Sequence, residues 1–315
     1  MTAWLTPEQA APFGTLTTEA LALVLPSVRQ PLTTPAPQLD GSYLAAGLHF
    51  AGMPAALAVL SLGVQSEARL QSLMVAPPCR RLGLATKLLN WIIDEAKQHG
   101  WSSLTVSYPL DHPGTAAMQR LTRSELGWQH QPGLRLVHLD RQGGQALVDR
   151  LAPLAAHWQR GGRFKLLRWD ALAPAEQAQL GARLQAPSWV WPLRDESQGV
   201  LIGELDADNS LVLLDHLEPA GWLIAHRVGS ELFKVSQWWI VPQLQGRGVA
   251  LQLLHRAVAG ALACRPTYQH AVFGMDPHSK AMNHFSRQQI EPLACGVQSN
   301  ERAHLALIKR QTGSP

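Results

Sequence analysis

Two stretches of the sequence have the residue types of a phosphate-binding loop. The first runs from Val75 to Ala85 and the second from Ile240 to Ala250. In each, an apolar strand pattern stops at a proline, which has no N–H for a β-ladder, and a glycine follows just before a helical pattern. Backbone amides at a helix N-terminus favour a bound phosphate, and nearby arginines add positive charge. The two stretches therefore predict binding sites for a phosphate or pyrophosphate.

A constant interval separates the two stretches. Equivalent positions lie 165 residues apart with no gap, as in Val75 and Ile240, Arg80 and Gln245, and Ala85 and Ala250. A shared register of this length indicates an internal duplication.

The spacing Gln245-x-x-Gly248-x-Ala250 resembles the acyl-CoA signature Q/R-x-x-G-x-G/A of the GNAT N-acetyltransferase superfamily. The sequence has neither the G-x-G-x-x-G of dinucleotide sites nor the G-K-[ST] of Walker loops. The resemblance implies that the loop amides hold the pyrophosphate of coenzyme A and that the preceding strand splays away from its neighbour. The coenzyme-binding residues that it implies are Val75, Arg80, Arg81, Gly83, Ala85 and Thr86 in the first copy, and Ile240, Val241, Gln245, Gly246, Arg247, Gly248, Val249, Ala250 and Lys280 in the second.

A second segment supports the same resemblance. GNAT domains usually carry N-x-x-A-x-x-x-Y after the next strand, and the tyrosine lies near the thioester sulfur. His278 to Phe285 matches this segment with histidine for asparagine and phenylalanine for tyrosine. Gly114 to Leu121 occupies the place in the first half, with leucine for tyrosine. Both halves resemble GNAT domains and lack the expected tyrosine.

The residues for proton transfer are less well defined. Many GNAT enzymes have a glutamate on the strand before the loop, but this chain has Gln71 and Arg69 there, then Ser236 and Lys234 in the second copy. Ser236 and Gln237 are candidates to orient a water molecule, and His226, His278 or His284 to accept a proton. We favour the second half as the active one because Gln245 to Gly248 is closer to the family pattern. The predicted catalytic residues are Ser236, Gln237, His278 and Phe285.

The remaining patterns predict an α/β protein with two GNAT-like domains in tandem. Each domain is expected to be a mixed, mostly antiparallel sheet with a splayed central strand, flanked by helices. Paired glycines, Gly143-Gly144 and Gly161-Gly162, are expected to bracket a helix from Gln145 to Gln159. The predicted division is an N-terminal domain at 1–140, a linker helix at 141–162 and a C-terminal domain at 163–315.

Composition narrows the class of protein. The 315 residues carry a net charge of +4 without a dense Lys/Arg tract, so nucleic-acid binding is not indicated. No apolar run reaches the roughly 18 residues of a membrane span. The first basic residue is Arg29, which argues against a secretory n-region, so a cytoplasmic location is expected. Cys79, Cys264 and Cys295 have no metal-ligand spacing, so reduced thiols and no bound metal are expected.

The sequence therefore predicts an acyl-CoA-dependent N-acyltransferase, most simply an N-acetyltransferase, acting on a primary amine of a small molecule or peptide. Its predicted partners are acyl-CoA and the amine, and its predicted state is a monomer or homodimer. Trp238 and Trp239 are candidates to line an apolar acyl or acceptor pocket. Two alternatives stay open: a fatty-acyl transferase acting on a peptide side chain, and a protein that senses acyl-CoA without consuming it.

Overall fold

The computed structural model describes residues 2–5, 43–62, 67–123, 126–186, 204–228, 231–263 and 268–307. The chain forms two compact units. The first contains residues 1–133, 196–201 and 300–315, and the second contains residues 134–195 and 202–299. The last stretch of sequence thus belongs to the first unit. The division predicted from the sequence, with boundaries at 140 and 163, stays a prediction.

The first part of the chain supplies five strands and two helices. They are β1 (Thr2–Leu5), β2 (Tyr43–Phe50), β3 (Met53–Leu62), β4 (Glu67–Val75), α1 (Leu84–Gln98), β5 (Ser103–Pro109) and α2 (Thr115–Thr122). Helix α1 forms on an apolar face that recurs at helical spacing, with Leu88, Ile92 and Ala96 buried. A short 3-10 turn, Pro77–Cys79, precedes α1.

The rest of the chain adds eight strands and four helices among the described residues. They are β6 (Gln129–Asp140), α3 (Arg141–Arg160), β7 (Phe164–Arg168), α4 (Pro174–Arg183), β8 (Glu204–Leu205), β9 (Leu211–Asp215), β10 (Glu218–Val228), β11 (Leu232–Ile240), α5 (Leu251–Ala263), β12 (His270–Met275), α6 (Lys280–Phe285) and β13 (Gly296–Ala306). The 3-10 turn Pro242–Leu244 precedes α5, and a π-helical turn, Ser286–Ile290, follows α6.

The two units have the same strand order. In the first it is β1-β2-β3-β4-β5-β13, and in the second β7-β9-β10-β11-β12-β6, with β8 on β10. Only β4–β5 and β11–β12 are parallel among these pairs of described strands. This is the mixed, mostly antiparallel sheet that the sequence predicts, present twice.

The duplication is reproduced in hydrogen-bond register. Ala56 pairs with Val75 on β3 and β4, and Gly221 pairs with Ile240 on β10 and β11, both 165 residues later. A β-bulge also recurs at the same place, between Val59 and Leu60 and between Ile224 and Ala225. A bulge bends a strand and changes where its side chains point.

Each unit has its own apolar core. In the first unit, Leu88 and Ile92 of α1 pack with Leu60 and Leu104 of the sheet. In the second, Leu147 and Leu151 of α3 pack with α5 and β11, and a separate cluster on α4 contains Trp169, Trp222 and Trp239. Trp239 lies 4.8 Å from Trp222 between ring centroids and is 9% exposed, so it is a core residue.

Helix α3 is longer than the sequence predicts. It begins at Arg141, so Gly143 and Gly144 lie inside it and do not precede it. The Asp140 carboxylate caps the helix by accepting a hydrogen bond from the Gly143 amide at 2.8 Å. Close packing requires glycine at position 143, because a Cβ there would lie 2.3 Å from the Leu293 carbonyl oxygen.

Some predicted features lie outside the described residues. Cys264 and most of the predicted strand at 201–204 are among them. Cys79 and Cys295 are free thiols. Within the described residues, no helix has the length and apolar character needed to cross a bilayer, and no group of three or more His, Cys, Asp and Glu side chains is placed to hold a metal ion.

Candidate functional site

The loop before α5 has an alternating backbone conformation. Gln245 is extended at φ −64° and ψ 151°, and Gly246 and Gly248 follow in the left-handed region at φ 74° and φ 76°. Side chains rarely adopt such positive φ values, so glycine suits both places. Successive amides in loops of this kind form a concave, anion-binding surface.

The loop before α1 repeats this conformation. Arg80 is extended at φ −68° and ψ 153°, and Arg81 and Gly83 have φ values of 66° and 74°. Arg81 therefore occupies a left-handed position where the second copy has glycine, at some cost in backbone strain. Two loops of different sequence thus present the same backbone to a ligand.

A side chain ties each loop to the end of its strand. The Gln245 amide donates from Nε2 to the Ile240 carbonyl oxygen at 2.9 Å. The Arg80 guanidinium donates from Nε to the Val75 carbonyl oxygen at 3.3 Å. Gln245 and Arg80, at the Q/R position of the two copies, therefore each hold their loop in place. Arg80 is also exposed to solvent.

The strand before each loop separates from its parallel neighbour. The pairing of β4 with β5 ends at Leu70 and Val106, and that of β11 with β12 ends at Val235 and Phe273. The last five residues of each strand, 71–75 and 236–240, continue beyond this parallel ladder. The splayed strand predicted by the family resemblance is present in both units.

A polar pair lies beside the bulge in each unit. In the second, His226 Nδ1 is 2.7 Å from Ser236 Oγ. In the first, the equivalent residues are Ser61 and Gln71, and Gln71 Nε2 donates to Ser61 Oγ at 2.7 Å. Burial, with the nearby charge of Lys234, lowers the pKa of His226 to about 4. His226 is therefore neutral at pH 7.

The other predicted catalytic residues are dispersed. Gln237 Oε1 is buried and has no hydrogen-bond partner among the described residues. His278 and Lys280 are exposed before and at the start of α6. Phe285, at the tyrosine position, stacks edge-on against Trp238 with ring centroids 5.8 Å apart. The structure therefore pairs Ser236 with His226 and gives Phe285 an apolar neighbour.

Helix α3 lies beside the second loop. A Cβ built on Gly248 would be 3.7 Å from the Trp158 indole nitrogen. At its other end, Gly144 faces Leu262 at the C-terminus of α5. Midway, Arg150 donates from Nη1 to the Gln289 carbonyl oxygen at 3.0 Å. The helix therefore extends along α5 and reaches the segment that follows α6.

Sequence reasoning missed a polar cluster in the first unit. The Tyr108 hydroxyl donates to Glu301 Oε1 at 2.6 Å, and His130 Nδ1 contacts the same oxygen. Burial and the bond to Glu301 raise the pKa of Tyr108 to about 12. Burial opposes ionisation of Glu301, but the bonds from Tyr108 and His130 outweigh it and lower its pKa. No sequence signal pairs Tyr108 with Glu301, because 193 positions separate them.

Comparison with known proteins gives one family match. Residues 32–122 match the model of the acetyltransferase (GNAT) family, and this segment contains the first loop and α1. No curated protein matches the sequence significantly.

Solved structures give matches over nearly the whole chain. A tandem GNAT protein from the clavulanic acid biosynthesis pathway aligns over 99% of both chains with a TM-score of 0.62 and 14% identity. A GCN5-related N-acetyltransferase from Sphaerobacter thermophilus aligns over 97% of this chain and 96% of its own, with a TM-score of 0.58 and 12% identity. At these identities the likeness concerns the fold. Residues 32–122 thus match the GNAT family model, and the described chain has, in both units, the fold of a tandem GNAT protein.

Proposed function

We propose that the chain is an acyl-CoA-dependent N-acyltransferase, with acetyl-CoA as the expected donor and a primary amine of a small molecule or peptide as acceptor. The observation that carries this proposal is the repeated loop conformation, in which two different sequences keep the same alternating φ values at a helix N-terminus. The splayed strand beside each loop and the family match over residues 32–122 support it.

In the proposed reaction, the neutral amine attacks the thioester carbonyl carbon. A C–N bond forms, the C–S bond breaks, coenzyme A leaves as thiolate and the amine gives up a proton. A thiol with a pKa near 8.5 is a fair leaving group at neutral pH, so a missing tyrosine acid is tolerable. In this proposal, backbone amides of the splayed strand polarise the carbonyl.

Removal of the amine proton is the harder requirement. An alkyl amine with a pKa near 10.4 is only about one part in a thousand neutral near pH 7.4, a deficit of roughly 4 kcal/mol. Neither Gln71 nor Ser61 titrates, and His226 is a weak base because of its lowered pKa. We therefore expect water held by these side chains to take the proton. For the second unit, Ser236, Gln237, His278 and Phe285 remain the predicted catalytic set.

The test is an assay of thiol release. The full chain is mixed with acetyl-CoA and a panel of primary amines, and free thiol and acylated product are measured. We expect amine-dependent release that rises between about pH 7 and 9 as the amine deprotonates. A parallel series of longer acyl-CoA donors separates acetyl transfer from fatty-acyl transfer. Absence of binding and of turnover with every donor would contradict the proposal.

A sensing role is the second candidate. It is favoured by Phe285 at the tyrosine position, which packs on Trp238, and by helix α3 beside the second loop. Tight binding of acetyl-CoA with no thiol release for any amine would support sensing over catalysis.

A further inference from the structure

We propose that the chain binds a single acyl-CoA, in the first unit, and that in the second unit helix α3 fills the corresponding space beside the second loop and α5. The inference rests on the proposed function and specifies its site. It reverses the preference for the second half that the loop sequences alone suggest.

Helix α3 lies where the coenzyme would have to lie in the second unit. A coenzyme whose pyrophosphate lies on the loop at Gly248 and whose thioester lies near Phe285 has to run from the start of α5 to α6. Helix α3 lies along this path, with Trp158 at Gly248, Arg150 bonded to Gln289, and Gly143 against Leu293. The helix therefore occupies the space that the pantetheine arm needs.

Helix α3 is also part of the apolar core of the second unit. Leu147, Leu151 and Ala155 of α3 are at most 2% exposed. Leu147 and Leu151 belong to the same apolar cluster as Leu253 of α5. Moving α3 aside would expose this surface to water, which is strongly unfavourable. Arg141 also fixes its start by donating to the carbonyl oxygens of Leu262 and Tyr268 at 2.9 and 2.7 Å. The helix is a permanent structural element and does not act as a lid.

The surface of α1 differs from that of α5. Thr86, Asn90 and Lys97 are exposed on α1. The residues 165 positions later are Leu251, His255 and Leu262, which are partly buried. A Cβ built on Gly83 would meet no described residue within 4 Å, in contrast to Gly248. In the part of the chain that the structure describes, this face of α1 and the loop at Gly83 are therefore polar and exposed.

The first loop also carries more positive charge than the second. Arg80 and Arg81 on the first loop and Lys87 on α1 are all exposed, whereas the second loop carries Arg247. Arg81 keeps a positive φ that glycine would adopt with less strain. Retaining a cation at a strained position is the arrangement expected where an anion binds.

Calorimetric titration of the full chain with acetyl-CoA tests the inference. We expect a stoichiometry of one. Gly83→Glu should weaken binding at least 100-fold, and Gly248→Glu should leave the dissociation constant within about threefold of wild type. The two variants are matched because both glycines have φ near 75°, so each glutamate brings similar backbone strain.

Charge reversal provides a second pair of variants if either glutamate prevents folding. Arg81→Glu should weaken binding strongly, and Arg247→Glu should not, since both side chains are exposed on their loops. Hydrogen exchange should show protection by acetyl-CoA at residues 80–86 and none at 245–251. A stoichiometry of two, or sensitivity to Gly248→Glu without sensitivity to Gly83→Glu, overturns the inference while leaving acyl-CoA binding intact. Absence of binding by the wild-type chain overturns the proposed function with it.

Discussion

Replacing Gly143 by alanine should loosen the docking of α3, and Gly144→Ala is its matched control one residue away. A Cβ on Gly143 would lie 2.3 Å from the Leu293 carbonyl oxygen, over 1 Å closer than ordinary contact; the oxygen is a backbone atom and the Cβ is held rigidly by its Cα, so neither moves easily. Overpacking of this kind typically costs about 1–3 kcal/mol. The better helix propensity of alanine returns up to about 1 kcal/mol. We expect a net loss of about 1–2 kcal/mol.

Gly144→Ala should behave differently. Its Cβ would lie 3.5 Å from Leu262 Cδ2, which is ordinary van der Waals contact, so the gain in helix propensity remains. We expect a stabilisation of about 0.5–1 kcal/mol. Urea denaturation followed by far-UV circular dichroism measures both free energies of unfolding. Equal stabilities for the two variants, or a less stable Gly144→Ala, would refute the described packing of α3 against the turn at Leu293.

Three further predictions concern pH, folding and turnover. The pKa of His226 is about 4 in the folded state and about 6.5 in the unfolded state. The contribution of neutral His226 to stability is therefore complete above pH 6.5 and falls by about 3 kcal/mol as the pH drops toward 4. The pH dependence of the melting temperature should flatten in His226→Gln, and unchanged acid sensitivity in this variant would count against the prediction. The two units lead us to expect another fragment than the division at 163 does: residues 134–299 should give a dispersed NMR spectrum, whereas residues 163–315, which lack α3 and β6, should not. A folded fragment of residues 163–315 would support the division at 163 instead. If acyl-CoA binds in the first unit alone, Gln71→Ala should lower turnover about ten- to a hundredfold with little effect on acetyl-CoA affinity, whereas Ser236→Ala should have little effect. The opposite ranking would place catalysis in the second unit, where Ser236 belongs to the predicted catalytic set.

Local signals in the sequence account for the loops and the repeat. A proline after an apolar strand, a glycine before a helical pattern and a fixed interval of 165 residues together predict both loops, and the structure adds equal φ values and an equally placed bulge. These features depend on residues close to one another in sequence. Propensity and turn chemistry act at that range.

The position of α3 depends on residues far apart in sequence. Its periodicity predicts a helix, but in the sequence Gly143 and Gly144 are typical of a loop. The structure shows that they lie inside the helix, where Gly143 faces Leu293 and Gly144 faces Leu262. One signal was available, because Leu251 and Leu262 replace the polar Thr86 and Lys97 of the first copy and indicate that a partner covers α5. Nothing local pairs Tyr108 with Glu301, so that cluster required the structure.

The membership of β13 in the first unit has a consequence for synthesis of the chain. Residues 300–306 pair with β5, so the strand that completes this sheet is made long after the strands it joins. At about 5–20 residues per second, the ribosome needs on the order of 10–40 s to proceed from Pro109 to Asn300. During that time the edge of β5 and the Tyr108 hydroxyl lack their native partners. The first unit therefore begins to be translated before the second but is completed only when β13 emerges. We expect the nascent chain to depend on chaperones until then.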